Sequence, residues 1–83
     1  MALDVDVRLF AGYREKAGKS RLALSLPDGS TVGSLAVEMV RMYPDLIQDA
    51  SRLVVAVNRE YRDHLYALDE GDEVALIPPV SGG

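Results

Sequence analysis

The sequence predicts an α+β domain in which one main helix covers one face of a mixed four- to five-stranded sheet. Three patterns carry that expectation. Apolar residues alternate with polar ones in two segments near the N-terminus, recur at offsets of three and four in the middle, and form a continuous run after that. A chain of 83 residues buries little more than about 60% of its unfolded surface, enough for one core and one domain.

Leu3, Val5, Val7 and Leu9 alternate with Asp4, Asp6, Arg8 and Phe10, a period of two that defines the first strand. Residues 11–19 are polar and helix-tolerant, with Gly18 placed to end a short helical turn. Leu22, Leu24 and Leu26 define a second strand, terminated by Pro27-Asp28-Gly29. The main helix follows, with Thr31 as N-cap and Val32, Leu35, Ala36, Met39 and Tyr43 on one stripe, until Pro44 stops it. Met39 is expected in the core.

Leu53-Val54-Val55-Ala56-Val57 is apolar throughout, as a central strand buried on both faces would be. Asn58-Arg59 reads as a turn into Glu60-Tyr61-Arg62. His64, in a polar stretch, reads as a solvated loop residue, and Asp69-Glu70-Gly71-Asp72 as a solvated acidic turn that doubles as a docking surface. The last strand starts at Glu73. The order is thus β-β-α-β-β, with residues 1–77 as the domain and 78–83 as an extended tail.

Composition removes several function classes. There is no cysteine, which excludes disulfides, thiolate metal sites and cysteine nucleophiles and fits a cytoplasmic protein. A net charge of −4 argues against a nucleic-acid partner, and no apolar run approaches the roughly 18 residues that cross a membrane. The acidic run lacks calcium-loop spacing, and no glycine pattern with lysine cradles phosphate, so no metal or bound cofactor is expected. The serines have no histidine arranged as a triad. Side chains offer no catalytic constellation.

The exception is the main chain at Gly82-Gly83. Two glycines leave the terminal carboxylate free of any Cβ, so a partner's active site can close around it. Pro78 and Pro79 hold the preceding segment extended, and six residues span about 20 Å. The Gly83 carboxylate is therefore the expected reactive group, and Pro78, Pro79, Val80, Ser81 and Gly82 are the segment inserted into partner sites.

Taken in order, Leu9-Phe10-Ala11-Gly12-Tyr13-Arg14-Glu15, Thr31-Val32 with Leu35, Tyr43-Pro44, Val55-Ala56-Val57-Asn58 and the block from Leu68 through Ile77-Pro78-Pro79-Val80-Ser81-Gly82-Gly83 resemble the small subunits of molybdopterin synthase. These are sulfur carriers of the MoaD/ThiS ubiquitin-like family, with the β-grasp fold. The resemblance covers nearly the whole chain, except for Glu60 to Ala67, which carries no motif. It implies that an E1-like activating enzyme uses ATP to adenylate Gly83 and that a sulfur donor protein converts the adenylate to a thiocarboxylate. The loaded tail then supplies sulfur to the molybdopterin precursor in the large, catalytic subunit of the synthase, within a heterotetramer. The chain is then not catalytic alone. The sheet face left open by the helix is the expected partner surface. Phe10 and Leu76 are its candidate contacts, with the core as the alternative for each, and Asp69 and Glu70 face basic groups of the activating enzyme.

Rival readings share the same ending: a sulfur carrier for thiamine, thiolated tRNA or cysteine synthesis, a modifier joined through Gly83 to lysines, or a structural module. The Phe10-Ala11 opening and the Pro78-Pro79-Val80-Ser81 tail favour the molybdopterin branch.

Overall fold

The computed structural model describes residues 2–47 and 49–78. Strand β1 (Ala2–Leu9) buries Leu3, Val5, Val7 and Leu9 and turns Asp4 outward, as its alternation requires. Helix α1 (Ala11–Ala17) ends at Gly18, whose φ of 76° is the left-handed conformation that glycine adopts without a Cβ clash. Strand β2 (Arg21–Pro27) returns antiparallel to β1, pairing Leu24 with Val5 and Leu22 with Val7.

Helix α2 (Val32–Met42) is the main helix. Val32, Leu35, Ala36 and Met39 have no exposed surface, so the stripe read from the sequence faces the sheet. Thr31 caps it: its Oγ1 accepts from the Ser34 amide at 3.2 Å, and Ser34 Oγ accepts from the Thr31 amide at 3.2 Å. The next two free amides also find acceptors, Val32 N–H on the Tyr66 carbonyl and Gly33 N–H on that of His64, both at 2.9 Å. A Cβ on Gly33 would lie 3.1 Å from the His64 carbonyl oxygen, so glycine permits this close approach.

A 3-10 turn (Ala50–Arg52) leads into β3 (Val54–Val57). Asn58 and Arg59, with φ of 51° and 73°, form the tight turn to β4 (Glu60–Arg62), the geometry expected of a two-residue hairpin loop. Strand β5 (Glu73–Ile77) completes a five-stranded sheet in the order β2-β1-β5-β3-β4. β1 and β5 are parallel and the other pairs antiparallel. The last strand therefore occupies the centre of the sheet.

Four expectations need correction. β3 is buried on both faces only in part: Val55 and Val57 face the helix and Ala56 is buried on the other side, but Val54, on the side of Ala56, is 47% exposed. Apolar residues on both parities produced a continuous run although one parity faces outward. Leu76 is fully buried against α2's side of the sheet, so of its two alternatives the core holds. His64 is half-buried, with Nε2 2.7 Å from the Leu53 carbonyl oxygen, and ties its loop to the entry of β3.

Asp72 is the fourth. It is buried, accepting from Asn58 Nδ2 at 2.9 Å and from the Asp69 amide at 2.8 Å, while Asn58 Oδ1 accepts from the Glu73 amide at 3.0 Å. One carboxylate thereby locks the β3–β4 turn to the start of β5. The chain of partners explains why an acid stands in a buried position.

Candidate functional site

Site residues fall into three regions, positioned by β5. At its C-terminal end Ile77 pairs with Val54 and leads into half-buried Pro78. Pro79, Val80, Ser81, Gly82 and Gly83, which include the expected reactive carboxylate, lie outside the described residues. At the other end of β5 stands the acidic turn, about 16 Å away for five residues of strand. Asp69 and Glu70 are exposed there; Glu70 Oε1 accepts from the Asp4 amide at 2.9 Å, and Gly71 turns the chain with φ of 82°. The acidic turn and Pro78 thus belong to opposite ends of β5.

The second region is the sheet face that α2 leaves open. Pairing places Asp6, Arg8 and Arg21 of β1 and β2, with Glu73 at the start of β5, on its charged half and Ala75, Ile77, Val54, Ala56 and Tyr61 on its apolar half. The charged half is internally neutralised. Arg21 Nη2 lies 2.6 Å from Asp6 Oδ2, and Arg8 Nη1 lies 3.5 Å from Glu73 Oε1. The hydrogen bond from Arg21 holds the Asp6 carboxyl below its ordinary pKa. The apolar half is open, with Tyr61 72% and Val54 47% exposed. Phe10, 44% exposed, follows β1 at the same end as Ile77 and precedes Ala11, whose φ of 47° is uncommon for a residue with a Cβ.

Reading β3 as doubly buried hid Val54 and Tyr61. The signal lay in the strand partner, since Glu60-Tyr61-Arg62 is too polar for a fully covered neighbour. The third region is a groove of about 640 Å³ at the end of β5, between α1 and residues 45–52. Tyr13 lines it, and burial raises the pKa of its hydroxyl. Asp49, on the opposite wall, accepts from the Ser51 hydroxyl and amide, which lower its carboxyl pKa. Among the described residues no group of three or more His, Cys, Asp and Glu could hold a metal ion, and no helix is long and apolar enough to cross a membrane.

Comparison with known proteins agrees with this geometry. The chain is 39% identical over 82 residues to the molybdopterin synthase sulfur carrier subunit of Arabidopsis thaliana, spanning 99% of this chain and 85% of that one. The solved small archaeal modifier protein 1 of Haloferax volcanii is 28% identical, covers 94% of this chain and 99% of its own, and superposes with a TM-score of 0.77. The ubiquitin of Caldiarchaeum subterraneum, 18% identical, matches all of both chains with a TM-score of 0.70, which shows the ubiquitin-like β-grasp fold. The model of the ThiS family matches residues 7–83, and with it the chain belongs to the ThiS family.

Proposed function

We propose that this chain is the sulfur-carrier subunit of a molybdopterin synthase in molybdenum cofactor biosynthesis, acting in the cytoplasm. The full-length identity to a relative bearing that name carries the reading. An oxygen of the Gly83 carboxylate attacks the α-phosphorus of ATP held by an E1-like enzyme, and pyrophosphate leaves. The adenylate turns a poor electrophile into one with a good leaving group. Sulfide-level sulfur delivered by a donor protein attacks the acyl carbon and displaces AMP, and the resulting thiocarboxylate enters the active site of the large subunit. Glycine at 82 and 83 allows the narrow approach that each step needs.

The globule selects partners. The apolar half-face of Val54, Tyr61 and Ile77, with Phe10 beside it, suits the large subunit in a heterotetramer. Exposed aromatic and aliphatic side chains on a rigid sheet are the groups that anchor an interface. Asp69 and Glu70 suit basic groups of the activating enzyme at the far end.

Intact-mass measurement after incubation with ATP, activating enzyme and sulfur donor tests the chemistry. The expected product has one terminal oxygen replaced by sulfur. Deletion of Gly83 abolishes it and leaves the unfolding midpoint unchanged; undiminished molybdopterin production by the deletion variant overturns the reading. Val54→Glu is expected to weaken capture of the large subunit at least tenfold, on the order of 1.4 kcal/mol, with thiocarboxylate formation unaffected.

The similarity to an archaeal modifier protein favours a second reading, conjugation through Gly83 to lysines of other proteins. Gly-Gly remnants on target lysines after proteolysis would establish it; their absence across growth conditions counts against it.

A further inference from the structure

The two outer strands of the sheet are built differently. β4 has three residues and a charge at each end, the short, charged kind of edge that discourages further pairing. β2 has seven residues and one charged side chain, Arg21, with proline only at its last position. Register fixes which of its backbone groups face out. Leu9 N–H donates to the Ser20 carbonyl at 2.8 Å, so by the alternation of an antiparallel ladder Leu22, Leu24 and Leu26 exchange their bonds with β1. The N–H and C=O groups of Arg21, Ala23 and Ser25 then point away from the sheet, and all three residues are exposed. Among the described residues these groups have no backbone partner. Pro27 has no N–H, and its carbonyl accepts from the Ser30 amide at 3.1 Å and the Ser30 hydroxyl at 2.7 Å, so the open edge ends at Ser25.

We propose that a second copy of this chain pairs with this edge, β2 against β2, antiparallel about a two-fold axis at Ala23. Backbone and charge select that axis. Around it Ala23 faces Ala23 and Arg21 faces Ser25, so each outward N–H meets an outward C=O of the other copy. An axis at Leu24 would set Arg21 against Pro27, which has no donor and whose carbonyl Ser30 already uses. An axis at Leu22 would set the two Arg21 side chains diagonal to each other on one face, where like charges repel. With the axis at Ala23, Leu22 lies opposite Leu24 on the face that α2 covers. On the open face Arg21 stands beside Ser25 of the other copy, whose β1 neighbour is the outward-turned Asp4. The small serine leaves the guanidinium a path to that carboxylate across two strand spacings, about 10 Å. Arg21 is then set between Asp6 of its own copy, 2.6 Å away, and Asp4 of the second.

The pairing doubles the sheet and leaves the apolar half-face clear, because β2 and β4 are at opposite edges. A single strand pair buries less than the roughly 1,200 Å² of standard interfaces, so the dimer forms and parts with concentration. It rests on β2 alone and holds whatever the chain carries.

Sedimentation and amide hydrogen exchange of the full chain test this. The mass is expected to double between roughly 10 µM and 1 mM, as suits a weak contact. Over that range the amides of Arg21, Ala23 and Ser25 gain protection in step with the dimer, while those of Leu22 and Leu24, bonded to β1, are protected throughout. Ala23→Pro removes an outward donor that β1 does not use, so it abolishes the dimer and keeps the protection of Leu22 and Leu24. Ser25→Lys, facing Arg21 of the second copy, raises the dissociation constant about fivefold, since the two-fold repeats the repulsion. A chain still monomeric at the top of that range overturns the proposal, as does a dimer that survives Ala23→Pro. Protection of Ala23 that appears only on adding the large subunit assigns the edge to that partner and overturns it equally.

Discussion

Leu76 has no accessible surface and is flanked by Leu9 and Val55 in the strand register, facing α2. Leu76→Ala leaves a cavity in the middle of the sheet and is expected to cost about 2–5 kcal/mol in urea unfolding. That is a large share of what so small a domain possesses. Its role could not be read from the sequence as decisively as that of Met39, because Leu76 sits in the apolar run Val74-Ala75-Leu76-Ile77, where both parities are hydrophobic. Asp72 shows the opposite failure. An acid in an acidic turn reads as solvated, and only the spatial neighbour Asn58, fourteen positions away, shows why it is buried.

At the scale of elements, α2 was the most legible. Its stripe, its cap and its stop are all local features, and the structure places them as the spacing predicts. The reciprocal partner of Thr31, Ser34, is a weaker signature than the usual glutamate or glutamine, yet it completes the cap. Thr31→Ala removes an acceptor from the first turn and is expected to lower stability by about 1 kcal/mol, read as a fall in the urea midpoint with an unchanged slope. Strands β3 and β5 were legible as strands but not in their placement. The position of β5 between β1 and β3 is set by pairing partners distant in sequence, which no local period encodes.

For the whole molecule, stability in acid follows from its exposed ion pairs. Asp6 is held below its ordinary pKa of 3.8 by the hydrogen bond from Arg21, and Glu38 below 4.5 by that from Arg41. Carboxyls whose folded-state pKa is depressed stabilise the fold fully above the unfolded value and lose that contribution as pH falls through the folded value. The thermal midpoint is therefore expected to hold above about pH 4.5 and to decline below it. Asp6→Asn should make the decline shallower, and added salt should shrink the difference, since both pairs are exposed. The expected reactive end was read from Gly82-Gly83 and the prolines before it, and the resemblance added its chemistry. The open half-face, by contrast, became visible only once pairing set Val54 beside Ile77 and Tyr61 beside Ala56.

The central place of β5 has a kinetic consequence. The hairpins β1–β2 and β3–β4 can each close from nearby sequence, but the two halves share no strand pairing until β5 enters between them. The contacts it makes are remote, pairing Asp6 with Glu73 and Leu9 with Leu76 on β1. Loop closure over such separations comes before the reward of pairing, so folding should resemble that of slower mixed domains rather than of helical bundles. A chain cut before Glu73 would hold two ribbons with no strand between them and bare facing edges, prone to pair with other chains.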